Sequence, residues 1–556
     1  MRTSAERCSI CRMLLHAIQH GVNGDCGNID IKRTRSALRI GANGPRLLRF
    51  CMEPGHADNH YPIGRPILPE SGNSSRFALL RAWLRQCDNS HDCSKHSSES
   101  KEALPTRVLY VGDPKDSSYS SDLVRLVYGS EASRHEYLAL SHCWGKVSVE
   151  EKERYCTTHA NISERLCGFS LSELPKTFQD AVTVTRELGV LYLWIDSLCI
   201  IQYWDNHEDW KREAGRMESV FPDAYCTIAA TAAADSKAGF LEREIRTEHV
   251  YVQDTSGRQF YISTDIDDFD NHVDGALLNT RAWVMQERVL SRRTIHFSAN
   301  QTYWECGEEV YCENLTVLRS PKTDQFFTLD PNFPNRLLRS GKRRTLNCIS
   351  FLLKDYSKRH LTYPTDRRVA MSGLEDRIAR GLKCRSRYGI FQKYLPRTLL
   401  WHASNDKMKK IAYDYHMPSW SWMVYSGGIE LLDVTLGTVD WVNHLMFDEE
   451  CKHALITNAL SFKNLATKAD GNQYAVLDSD GAKRGWIEYD VGDSEELVEE
   501  WCVVVGRTHG FDATGAEEYY ILVIRPTGVG NDYRRVGIGL IKSNCVVGPE
   551  ISVRVV

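Results

Sequence analysis

Two sets of residues in this chain have types and spacings that can do chemistry. One is a lone carboxylate, Glu213. The other is a scatter of thiols and imidazoles in the first hundred residues. Trp210, Ala214, Met217 and Phe221 recur 4, 3 and 4 residues apart, which predicts a helix over about 206–221 with one apolar stripe. Glu213 falls on the border of that stripe, so its carboxylate faces inward rather than into water. Such a group either pairs with a cation or has a raised pKa. The structural alternative to a reactive acid is an ion pair with Arg281 or another arginine. Cys8 and Cys11 form a C-x-x-C pair, and Cys87, His91 and Cys93, with His96 nearby, form a second cluster. Together they offer four tetrahedral ligands for a structural zinc. Unconnected thiols are the plainer reading.

The elements that must position Glu213 are legible upstream. Tyr137–Ser141 is a short apolar run, followed by His142, Cys143, Trp144 and Gly145. Pro175 suits the first turn of a helix. Phe178, Ala181, Val182, Thr185 and Leu188 then repeat at helical spacing, and Gly189 is a natural stop. Val190–Gln202 is predicted as a buried strand ending in a polar loop that carries Asp196, Cys199 and Gln202. Strand, helix, strand makes a βαβ unit with parallel strands. The ends of its strands, Ser141–Gly145 and Asp196–Gln202, then share one edge of the sheet, where ligands bind in open parallel sheets. Cys143 or Cys199 with His142 offers a thiol and a base, but chain neighbours rarely face each other productively.

Five regions are expected: 1–104, a Cys/His-containing region and candidate zinc subdomain; 105–136, a linker marked by PKDSSYSSD; 137–310, an α/β core; 311–425, mainly helical; and 426–556, rich in strands separated by Gly/Asp turns. A net charge of −4 over 556 residues gives no general attraction to nucleic acid. No apolar run approaches the roughly 20 residues of a membrane span. Eighteen cysteines, mostly in apolar contexts, suit a reducing compartment, and the expected location is cytoplasmic.

Several motifs occur in one order: Tyr137-Leu-Ala-Leu-Ser-His-Cys-Trp-Gly145, Leu174-Pro-Lys-Thr-Phe178, Leu193-Trp-Ile-Asp-Ser-Leu-Cys-Ile-Ile-Gln202, Asp209-Trp210 through Glu213 and Met217, and Thr280-Arg-Ala-Trp-Val-Met-Gln-Glu287. The ensemble resembles the heterokaryon incompatibility (HET) domain of filamentous fungi, over Tyr137–Cys306 and more loosely to Trp422. That resemblance implies a role in nonself recognition and cell death. It also implies a distant likeness to TIR domains, hence an α/β fold with a flavodoxin/TIR-like parallel sheet core, helical additions and a β-rich C-terminal domain.

Some TIR domains cleave NAD with a glutamate placed shortly after a tryptophan. The matching residue here is Glu213, three after Trp210, one residue closer than the TIR pattern. On this reading NAD is a substrate and the protein an NAD glycohydrolase. Ser141, Trp144, Gly145, Asp196, Cys199 and Gln202 would line the ligand crevice, and Arg281 would hold a phosphate. Asp196 suits a ribose hydroxyl or a helix cap equally. The rival readings are a non-catalytic module that works by self-association or a protein partner, and an enzyme of another class using the same scaffold in small-molecule metabolism.

Overall fold

A mixed ten-stranded sheet organises the part of the chain that carries Glu213. The structure is a computed structural model. It describes all residues except 1, 22–28, 35, 42–43, 53–61, 68–73, 92, 94–103, 118, 203–207, 244–247, 254, 256, 258, 319–338, 340, 406–407, 463–466, 471–472, 478–480, 492–499 and 510–516. His96 of the thiol cluster lies outside the described residues. The chain forms two compact units: Met1–Thr280 with Leu290–Pro331, and Arg281–Val289 with Asn332–Val556. Among the described residues no helix is long and apolar enough to cross a membrane.

In the first unit, helix α1 (Ser74–Ser90) buries Phe77, Leu80, Trp83, Leu84 and Cys87, a helical period on one face. Strands β1 (Arg107–Tyr110) and β2 (Leu123–Tyr128) follow. Next come β3 (Leu138–Ser141), α2 (Lys176–Glu187) and β4 (Tyr192–Trp194). The helical turn α3 (Asp196–Cys199), helices α4 (Glu208–Ala214) and α5 (Met217–Asp223), and β5 (Cys226–Ala229) complete this stretch. Helix α6 (Ala282–Leu290) falls, up to Val289, in the second unit. The chain then returns to add β6 (Arg293–Phe297) and β7 (Thr302–Cys306).

The four central strands run in the order β4-β3-β5-β6 and are all parallel. The chain lays down β3 first, β4 on one side of it, then β5 and β6 on the other. The direction of winding therefore reverses at β3. Antiparallel strands flank this group, β1 beside β4 and β7 beside β6. β3 is buried along its whole length, as a central parallel strand covered on both faces must be.

Four expectations change. The strand expected over Val190–Gln202 stops at Trp194, and Asp196–Cys199 turns into a helix instead of a loop. The single helix expected over 206–221 is two, parted at Gly215, a poor helix former; residues 203–207 lie outside the described set. Residues 105–136, expected as a linker, hold β1 and β2. The apolar alternation of Leu123–Tyr128 outweighs the Ser/Asp-rich loop before it. The N-terminal region is also not separate. Ile31–Arg33, Ala37–Ile40 and Arg46–Cys51 share a five-stranded antiparallel sheet with Gln259–Thr264 and His249–Gln253.

The second unit holds α6, α7 (Lys342–Lys358) and α8 (Val369–Leu382), then a β-rich region. Strands β8 (Leu455–Phe462), β9 (Trp501–Thr508), β10 (Glu518–Pro526), β11 (Asp532–Lys542) and β12 (Val546–Val555) pair in a ring, β9-β8-β12-β11-β10 and back to β9. A closed ring leaves none of these five strands as a bare edge. Val504, Ile521, Val523 and Ile541 belong to its buried core. Trp401, Trp420 and Trp422 are fully buried nearby in the chain's tryptophan-rich segment.

Candidate functional site

The carboxyl ends of β3 and β4 bring together two of the predicted stretches. Ser141 ends β3 and is buried. The chain then turns through Gly145, whose φ of +74° suits glycine. Trp144 Nε1 donates to Asp196 Oδ2 at 2.8 Å. His142 Nδ1 lies 3.9 Å from Asp196 Oδ1. The His142 ring is parallel to Trp144 and meets Phe178 of α2 edge-on at 5.0 Å. Asp196 also accepts from the Ser197 N–H at 2.7 Å, so it satisfies one free amide at the start of α3 while holding the indole. Its side chain keeps 31% exposure, the most open of this group's polar side chains. Gln202 donates its amide to the carbonyls of Asp196 and Ile200, which ties the segment down. Cys199 is buried, and burial pushes its thiol up to about 12. It is a packing residue rather than a nucleophile.

Glu213 sits in a second cluster, at the amino end of β1. Its Oε1 accepts from Thr106 Oγ1 at 2.8 Å and from Arg212 Nε at 3.3 Å, with Arg216 at 3.8 Å. Arg216 also donates to Thr106 Oγ1. One helical turn earlier, Asp209 pairs with Arg107 and with Arg212, and accepts from the Ile201 N–H at 2.8 Å. Arg107 Nε donates to the Cys199 carbonyl at 2.8 Å. The two clusters are thus joined through α3, which carries Asp196 at one end and the Cys199 carbonyl at the other. Two strand spacings, β3 to β4 to β1, separate the bases on which they stand.

The structure answers the ion-pair alternative with Arg212 and Arg216. Arg281 belongs to the second unit, in a β-bridge with His360. Thr106 and Arg107 stand in none of the motifs read from the sequence, and Asp209 is quoted there only as the residue before Trp210, with no role given to it. A signal that could have found Arg107 is its place at the opening of the short apolar run Val108–Val111.

The thiol cluster assembles differently from the expectation. Cys87, His91, Cys93 and Cys306 place their ligand atoms all within 4.8 Å of one another, an arrangement able to hold a metal ion. Cys306, at the end of β7, takes the place expected for Cys8 and Cys11. Those two pair with each other around the start of the N-terminal helix: hydrogen bonds from Cys11 hold Cys8 below its ordinary value. Cys306 Sγ lies 3.4 Å from His91 Nδ1. It is driven well below the ordinary thiol value because Cys87 and Cys93 both donate to it. Cys87, as donor, is pushed up to about 12.

Residues 137–287 match the family model described as heterokaryon incompatibility protein (HET). No curated protein and no solved structure matches the chain. Ser141, Trp144, Asp196 and Glu213 all lie within the stretch that matches this HET model.

Proposed function

We propose that this is a fungal incompatibility-type protein, acting in the cytoplasm in nonself recognition and cell death through the strand-end edge of its HET domain. The observation that supports it is a coincidence of place. The residues that meet at the ends of β3 and β4 all fall within the matched stretch, at the point where the winding of the parallel sheet reverses. Doubly wound sheets bind ligands at that point. Asp196, braced by Trp144 and partly open, is the group that presents itself there. In this reading the domain is a signalling module, and Glu213 is a strut between β1 and α4. Expression of the intact chain in fungal hyphae should arrest growth, and Asp196→Ala should relieve the arrest while the circular dichroism stays unchanged. Undiminished arrest with Asp196→Ala would sink this reading.

A second reading, hydrolysis of NAD, has one observation in its favour. All three polar contacts of Glu213 fall on Oε1, and Oε2 takes none of them among the described residues. Oε2 is then available to a ribose hydroxyl or to the positive charge that develops at ribose C1′. The bond from C1′ to the nicotinamide nitrogen breaks with its electron pair leaving on the ring. Water adds at C1′ and gives up a proton, yielding nicotinamide and ADP-ribose. Nicotinamide release from NAD by the purified chain, abolished by Glu213→Gln, is the expected result. No release even at high protein concentration rejects it.

A further inference from the structure

Outside the HET edge, the sulfur–imidazole cluster is the most developed grouping of reactive side chains. We propose that Cys87, His91, Cys93 and Cys306 bind one Zn²⁺ ion in a closed Cys₃His site that fastens the end of α1 to the end of β7. Cys87 and His91 are four residues apart, and the His91 N–H still donates to the Cys87 carbonyl at 3.1 Å. They therefore share one face of the helix end. Cys93 follows within one more turn. Cys306 comes from 215 residues beyond His91, yet its sulfur lies 3.4 Å from the imidazole nitrogen. Nothing in the local sequence requires that meeting; the sheet produces it.

The geometry suits zinc. A Zn–S bond of about 2.3 Å in a tetrahedron sets sulfur–sulfur edges of about 3.8 Å. The four donors already lie within 4.8 Å of one another. Contraction by about an ångström completes the polyhedron. Thiolates and imidazole select a borderline-soft ion over magnesium or calcium. Cys87, Cys93 and Cys306 are all buried. Four protein donors leave no open coordination position, which marks a structural site rather than a catalytic one.

The surroundings help. The His91 ring stacks on Tyr311, which also stacks on Trp83, so the imidazole plane is set before any ion arrives. Three thiolates and a neutral imidazole give the zinc complex a net charge of −1. The buried guanidinium of Arg293 pairs with Asp88, the residue next to Cys87.

The test uses the full chain, purified under reducing conditions and passed over a chelating resin. Elemental analysis should find about one zinc per chain. Cys306→Ser should lower that by at least about fivefold, and the double variant Cys8→Ser/Cys11→Ser should leave it unchanged. Because Cys306→Ser could loosen the hairpin, cobalt substitution of the unaltered chain is the second readout. It should show thiolate-to-cobalt charge transfer and the visible bands of a tetrahedral ion. A metal-free chain, an octahedral cobalt spectrum, a disulfide among the three thiols in place of metal, or loss of zinc on changing Cys8 and Cys11 would each overturn the proposal.

Discussion

Arg107 and Arg216 both reach acids beside β1, but the energetics differ. Arg107 and Asp209 are each about 95% shielded from water. Removing Arg107 takes away the buried partner of Asp209 and leaves that acid to Arg212, whose side chain is 59% exposed, and to the Ile201 N–H. Arg216 is 48% exposed, so water screens its attraction to Glu213. Arg107→Met should therefore lower the unfolding free energy by about 3 kcal/mol, and Arg216→Met by less than about 1 kcal/mol, both read from urea titrations. Two glycines make a similar contrast. A Cβ on Gly145 would sit 2.3 Å from the Asp235 Cβ, whereas a Cβ on Gly189 meets nothing within 4 Å. Both have positive φ, so both substitutions carry a backbone cost of about 1 kcal/mol. Gly145→Ala should cost more, about 2–3 kcal/mol in all, because the turn must also move away from Asp235. Equal midpoints for the two alanine variants would contradict this.

At the scale of single elements, helix α8 contains a titration that the fold itself sets up. Burial raises the Glu375 carboxyl to about 7, although hydrogen bonds from Gly389 and Ser386 pull the other way. The folded state therefore holds a proton that the unfolded chain releases near pH 4.5. The contribution of this one group to stability is greatest below that pH, falls as pH rises toward about 7, and levels off above it. Its span is at most about 3.5 kcal/mol. Glu375→Gln should flatten this part of the stability–pH curve and raise the melting temperature at pH 8, checked by calorimetry. An unchanged slope would rule out Glu375 as its source.

Elements of this kind were unevenly legible in the amino-acid order. β3, α2 and β4 could be read because each is local: an apolar run, a 3.6-residue period from Phe178 to Leu188, and a stop at Gly189 with φ of +76°. The helix through Trp210 was placed correctly on its buried face, since Glu213, Ala214 and Met217 are all buried, but not in its length, because the stripe continues past the break at Gly215. The partners of Glu213 could not be read. Thr106 is 107 residues away and arrives only because β1 pairs antiparallel with β4. Cys306 was invisible as a ligand for the same reason.

On the scale of the molecule, the stretch that matches the family is not a physical body. Residues 137–287 leave out β1 and β6, which pair with β4 and β5. They also end inside α6, a helix of the second unit. A fragment of those residues would expose two inner strands as bare edges. It should show no cooperative thermal transition by circular dichroism, whereas the full chain should show at least one. The path of the chain has a further result. It passes between the two units three times, after Thr280, after Val289 and after Pro331. A protease that nicks after Thr280 still leaves the second unit covalently tethered to β6 and β7, which are interleaved with the rest of the sheet. A cut after Val289 leaves the same tether, so a scissile site at either of the first two junctions could slacken this protein without freeing its C-terminal half; only a cut after Pro331 parts Asn332–Val556 from the chain that carries the parallel sheet.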